Sequence, residues 1–223
     1  MKRFKITDIL IGILFTLLFI SIAVVFTINF RPLYYMDVHL LKIDEISGFD
    51  KSDILANYNA LIDYSSPFFR GDLKFPTLEA SQSGLQHFVE VKNIFTSFYI
   101  LGAITLIIGI IIILYKRKRK DISYLFVSAI TSIVIPILVA IYMAIDFNRA
   151  FVVFHKIFFN NDDWLFDPTT DPVILILPEE FFMHCAILII ILVLLFCSAF
   201  LLLYYKKKSH VGIKHRKNSG LKI

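Results

Sequence analysis

Residues 94–115 read IFTSFYILGAITLIIGIIIILY and stop at KRKRK, residues 116–120. The run carries no Asp, Glu, Lys or Arg, and at about 1.5 Å of rise per helical residue it is long enough to cross a hydrocarbon core of roughly 30 Å. An uncharged helix closed by five cations reads as a membrane span whose basic end is retained in the cytoplasm.

Outward from it, runs at 9–30, 122–145 and 182–205 have the same character, in a chain that is 57% hydrophobic and 18% charged. The expected fold is therefore an all-α membrane protein: four transmembrane helices in one integral membrane domain, residues 1–223. The first run is too long for a signal peptide and lacks a small-x-small exit site, so it reads as an uncleaved span.

Lys2, Arg3 and Lys5 precede the first span, Lys116–Lys120 join the second and third, and Lys206–Lys208 open a basic tail over 206–223, which puts both termini in the cytoplasm. On that topology the inside holds 15 Lys/Arg against Asp8 and Asp121, and the outer loops, 31–93 and 146–181, hold 8 against 16 acids. The basic runs read as topogenic signals that also attract anionic membrane lipids; nucleic acid is not an expected partner, although the tail from His210 to Lys222 is its remote candidate. Cys185 and Cys197 share the fourth span about 18 Å apart along a helix, too far to bridge.

The outer loops form an extracytoplasmic cap of short helices, with 38–43 as a candidate short strand and 72–75 as its partner. Ser52 is placed to cap a helix whose Ile54, Tyr58, Leu61 and Ile62 share one face. Ser83-Gly84-Leu85-Gln86 matches a capping box opening a helix that continues into the second span. His87 then lies in the first turns of that helix with Glu90 at i+3, where the helix dipole favours a neutral imidazole and Glu90 pulls the other way.

In the second loop Phe147, Phe151, Phe154, His155 and Phe158 recur at helical spacing, which describes an amphipathic helix with His155 on its apolar stripe. Asn160 and Asn161 favour its end, Asp167-Pro168 and Asp171-Pro172 are turn signals, Trp164 is a headgroup-level anchor, and Pro178-Glu179-Glu180 suits the start of the last span.

His87 and His155 thus converge on one outer interface, with Glu90, Asp162, Asp163 and Asp167 near one or the other. A base with its orienting acid and a metal site are both compatible with that set. The metal reading lacks short ligand spacing, Glu180 with His184 at i+4 being the one such pair, and neither a metal nor a cofactor is expected. His39, His184, His210 and His215 read as ordinary polar residues. No GxSxG elbow or outer cysteine supplies a nucleophile, so an acyl transfer in which the substrate brings its own nucleophile fits the inventory. Spans without interior charges speak against transport. A membrane scaffold or sensor with an acidic cap, and a lipid-ester hydrolase, are the alternatives.

Phe154-His155-Lys156-Ile157-Phe158-Phe159-Asn160-Asn161-Asp162-Asp163-Trp164-Leu165-Phe166-Asp167-Pro168, continuing through Asp171 to Leu177-Pro178-Glu179-Glu180-Phe181-Phe182, resembles the signature of the lipoprotein intramolecular transacylase (Lit) family. Ser83 to Lys92, and Asn57-Tyr58 with Asp63-Tyr64, are similar to its other motifs, with Glu90 standing where the family carries aspartate. The resemblance implies an enzyme of low-GC Gram-positive bacteria that moves the sn-2 acyl chain of a diacylglyceryl lipoprotein onto the α-amine of its N-terminal cysteine, at the extracytoplasmic face of the cell membrane. It implies His87 and His155 as the catalytic histidines. Glu90, Trp164, Asp167, Asp171, Tyr58, Tyr64, Arg70 and Arg149 are supporting candidates for orienting a histidine or holding an oxyanion.

Overall fold

A computed structural model describes residues 5–219, with side chains as far as Ser209. The readings on Lys2, Arg3, His210, His215 and Lys222 lie outside the residues so described. Among the described residues there are helices and turns but no strand. Four helices are long and apolar enough to cross a membrane: α1 (Ile6–Asn29), α5 (Gln82–Lys118), α6 (Ser123–Ile145) and α9 (Glu179–Ser219). Between them lie α2 (Arg31–Leu40), α3 (Ile43–Ser47), α4 (Lys51–Tyr64), α7 (Phe147–Phe158) and α8 (Val173–Ile176).

The chain divides into two compact units, one of Met1–Ser21, Leu101–Val139 and Ile190–Ile223, the other of Ile22–Ile100 and Ala140–Ile189. In the first, Phe15 of α1 packs edge-on against Phe200 with ring centroids 5.0 Å apart, and Phe19 stacks on Phe196 at 5.2 Å. Lys116 behaves differently from the rest of its basic run. Its ammonium is buried and donates to Asp8 and Asp121, each at 2.8 Å, while the Ser123 hydroxyl meets the same two carboxylates at 3.0 and 2.7 Å. Two acids around one ammonium, with a hydroxyl between them, satisfy charges that could not otherwise stay out of water.

In the second unit the short helices enclose an aromatic core. Tyr34 of α2 stacks on Tyr58 of α4 at 3.7 Å, and its hydroxyl donates to the Ile176 carbonyl at 2.6 Å. The strand expected over 38–43 is not formed. Pro32 at the start of α2 supplies a φ already suited to a helix, and Tyr34, Val38 and Leu41 then fall on one face at i, i+4 and i+7. Its proposed partner, 72–75, lies in irregular chain. The α4 helix likewise begins earlier than expected, with Asp50 rather than Ser52 at its N-cap, and buries Ile54, Asn57, Tyr58, Leu61 and Tyr64.

Asn57 sits wholly inside this core and ties down the irregular chain that leads to α5. Its amide donates to the Asp53 carbonyl at 2.7 Å and to Thr77 Oγ1 at 2.6 Å, and its oxygen accepts from the Thr77 and Leu78 backbone at 3.2 and 3.3 Å. A buried amide with both ends bonded holds a loop without leaving backbone groups unpaired.

Candidate active site

His87 is delivered by the first turns of α5, ahead of the apolar run that begins at Ile94, with Glu90 and Lys92 marking this stretch as outside the span. The helix is capped by Ser81 and not by Ser83: the Ser81 hydroxyl accepts the Gly84 N–H at 3.0 Å. In a capping box the acid three residues on would take the N–H of the cap residue itself. Here that position is Gly84, and Asp171, from the loop before α8, supplies the carboxylate instead, accepting the Ser81 N–H at 2.8 Å. A Cβ on residue 84 would stand 2.2 Å from Asp171 Oδ1 and 3.1 Å from the Phe166 ring, so the absence of a side chain is what admits the loop.

His155 sits one turn from the end of α7, a helix capped by Asp146, whose carboxylate accepts the Arg149 N–H at 2.9 Å. The face carrying His155 is turned inward, while Phe154, Ile157 and Phe158 are 48%, 71% and 50% exposed. The His155 Nδ1–H donates to the Phe151 carbonyl at 2.8 Å, which leaves Nε2 as the free lone pair of the neutral ring.

The two imidazoles meet in an aromatic enclosure. His87 is 4% and His155 9% exposed, their centroids are 5.9 Å apart, and Phe159 lies 4.6 Å from His87 and 5.6 Å from His155. Trp164 stacks on His155 at 4.7 Å, and Phe166 stands edge-on to His87 at 5.5 Å. Burial, and secondarily the neighbouring His155, push the His87 imidazole down to about 4. Burial also lowers His155, only partly offset by its bond to the Phe151 carbonyl. Both rings are therefore neutral at pH 7, the state in which an imidazole can accept a proton.

A second chain of contacts joins the two halves. The Trp164 indole N–H donates to the Asn161 carbonyl at 3.1 Å, and the Asn161 amide donates to Glu90 Oε1 at 2.9 Å. Neither Asn161 nor the rings of Phe159 and Phe166 stood out in the sequence beyond their place in the motif. Asn161 read as a helix stop, and only its position between Trp164 and Glu90 reveals the bridge.

The structure brings His87, His155, Trp164, Glu90 and Asp171 into this one assembly and places the other candidates elsewhere. Tyr58 belongs to the core stack with Tyr34. Tyr64 packs on Phe69 with the Lys92 ammonium over its ring at 4.3 Å. Arg70 and Arg149 are exposed, and Asp167 is an exposed turn residue whose carboxylate, held below its usual range by the Thr169 N–H and hydroxyl, faces its own loop. His184, read as an ordinary polar residue, has a buried partner: its Nδ1–H donates to the carboxylate of Asp37, 2.9 Å from both oxygens. Among the described residues no three His, Cys, Asp or Glu side chains gather as a metal site would require.

The model of the lipoprotein intramolecular transacylase family matches residues 9–182. The chain belongs to that family, Lit. It is accordingly an acyltransferase of the membrane. A solved structure of the membrane-integral Lit from Bacillus cereus is 36% identical and superimposes with a TM-score of 0.89 over 93% of this chain and 98% of that one. Two further structures of the B. cereus Lit, in which one histidine is replaced by arginine or by alanine, match with TM-scores of 0.82 at the same identity, over 93% of this chain and 95% and 96% of theirs. A search of curated protein sequences gave no match.

Proposed function

We propose that the chain moves the sn-2 acyl group of a diacylglyceryl lipoprotein onto the α-amine of the same molecule's N-terminal cysteine, with His87 and His155 as the catalytic pair. The observation that carries this reading is two neutral, buried imidazoles 5.9 Å apart in an aromatic enclosure. Such a site can move protons yet holds little water to compete with the amine for the ester.

His87 takes a proton from the α-amine as its nitrogen attacks the sn-2 carbonyl carbon. The N–C bond forms, the tetrahedral intermediate collapses, and the ester C–O bond to glycerol breaks. The proton taken by His87 passes to Nε2 of His155, the nitrogen left free by the Phe151 bond, and from there to the glyceryl oxygen as it leaves. Repulsion between the rings favours one added proton shared by the pair over two. Acyl group, amine and leaving oxygen all belong to one substrate, so much of the barrier is met by holding them together, and no protein nucleophile is needed.

Both termini are cytoplasmic on the basic-residue count, which puts the histidines at the extracytoplasmic face. The exposed Phe154, Ile157 and Phe158 of α7 make the helix beside the site a lipid-facing one, consistent with lateral entry of substrate acyl chains.

The test is mass spectrometry of a synthetic diacylglyceryl lipopeptide incubated with wild type, His87→Ala and His155→Ala. The expected product has unchanged mass, with fragments that place the acyl group on the cysteine nitrogen, and falls by at least about 100-fold in either variant. Loss of one acyl mass would make the protein a lipase, and an unaltered substrate would favour a scaffold.

A further inference from the structure

Buried polar atoms without a partner are scarce in folded proteins, and each calls for a ligand, a water or a function. Among the described residues five buried side-chain atoms lack one, and two of these, His87 Nδ1 and Glu90 Oε2, are three residues apart on α5. Residues at i and i+3 lie on the same face of a helix, with Cβ atoms about 5–6 Å apart, so both orphan atoms belong to one small region.

The two differ in how their other halves are treated. Glu90 Oε1 is held by the Asn161 amide, and Asn161 is held by the indole of Trp164, which itself stacks on His155. One carboxylate oxygen is thus tied to the site's frame while the other is shielded from solvent and unpaired. Among the described residues no Lys, Arg or His forms an ion pair with Glu90. A fixed, shielded carboxylate oxygen without a counter-charge, one helical turn from an unpartnered imidazole nitrogen, is complementary to a group that is cationic and carries at least two N–H bonds.

Resting on the transacylase reading, we infer that Glu90 Oε2 and His87 Nδ1 form the seat for the substrate's α-ammonium. Glu90 holds the charged amine until one of its protons is lost to the medium, and His87 lies beside the neutral amine so formed as the acceptor of the second proton, the one that reaches the glyceryl oxygen. The Trp164–Asn161–Glu90 chain fixes the seat relative to His155, so amine and ester are placed by one connected set of contacts. Asn161 is a positioning residue in this arrangement, and Glu90 a substrate-binding one.

The test uses the full-length protein in nanodiscs and a lipopeptide whose sn-2 ester is replaced by an ether, so that binding is read without turnover. Its affinity is compared at pH 6.5 with that of an analogue in which the α-amine is replaced by a hydroxyl of similar size but no charge. Wild type should prefer the amine by about tenfold or more, the scale of a charge-assisted hydrogen bond. Glu90→Gln, which keeps an oxygen for Asn161 but presents N–H groups to the amine, should bind the two alike, and Glu90→Asp should retain part of the preference.

Equal binding of both analogues by wild type, or an undiminished preference in Glu90→Gln, overturns the seat and leaves the transacylase reading standing. No binding of either analogue by wild type overturns that reading, and the seat with it. The wild-type comparison does not depend on how well any variant folds.

Discussion

Asp171 accepts the backbone N–H of Ser81 at 2.8 Å across ninety residues of sequence, and in doing so completes the cap of the helix that carries His87. The same carboxylate takes the Thr170 hydroxyl at 2.7 Å, and its loop brings Phe166 against His87. The helix start and the second outer loop are therefore one piece of structure, and the place of His87 depends on both.

Asp171→Ala should fray the start of α5, at a cost of about 1–2 kcal/mol from the lost cap interaction, and lower turnover by tenfold or more as His87 loses its register. Asp171→Asn keeps an oxygen for Ser81 and should retain most activity. Gly84→Ala should resemble Asp171→Ala, since its Cβ occupies the carboxylate's place. Thermal unfolding and lipopeptide turnover measured on all three would check this; Asp171→Ala with native turnover would separate the cap from catalysis.

The two histidines make stability depend on pH. His87 titrates at about 4 in the folded protein against an ordinary value of 6.5, and His155 is lowered as well. Below pH 6.5 the unfolded chain binds protons that the folded site refuses, so the stabilisation is complete above that pH and is lost progressively as pH falls toward 4. For His87 alone the loss is on the order of 3 kcal/mol, at about 1.4 kcal/mol per pH unit. His87→Gln has no such proton to gain. Between pH 7.5 and 4.5 the wild type should lose more in Tm than this variant does, and equal losses would show that His87 is not held neutral by burial.

Whatever local spacing determines was readable in the chain. The apolar runs define the long helices, the five-residue recurrence around His155 defines α7, and His87 with His155 stand out because both fall at one outer interface with carboxylates near in sequence. Where the sequence misled, the deciding partner lay far away or the local signal was double. Ser83 has the better capping-box neighbours, yet Ser81 is the cap because Asp171 replaces the missing acid. Val38 to Ile43 reads as a short strand, but Pro32 and the Tyr34, Val38, Leu41 spacing win once Tyr58 and Ile176 cover that face. The pairing of His184 with Asp37 crosses 147 residues, and no local pattern announces it.

Lys116, which the sequence marks as one of a run read as topogenic, is also structural. Removing it alone, as Lys116→Met, leaves the buried carboxylate of Asp8 and the partly buried one of Asp121 without their cation, and should destabilise the protein by about 3–5 kcal/mol. The triple variant Lys116→Met, Asp8→Asn, Asp121→Asn removes all three charges and should recover much of that loss. Unfolding measured in detergent would decide it. If the triple variant is no better than the single one, the cluster contributes by its exact hydrogen bonds and not by charge balance.

Trp164 bears on the site through two separable contacts, its stack on His155 and the N–H it gives to the Asn161 carbonyl. Trp164→Phe preserves a ring beside the imidazole and deletes only the donor, whereas Trp164→Ala removes both. If Trp164 merely fills space, Phe should be nearly neutral and Ala should cost stability in proportion to lost burial, with kcat per folded molecule unchanged. If it positions His155 and Asn161, Phe should lower kcat about tenfold, equivalent to about 1.4 kcal/mol of transition-state stabilisation, and Ala by a further tenfold or more. Measuring kcat and Tm together on both variants separates the two accounts. A Phe variant with native kcat would assign the indole N–H to folding alone.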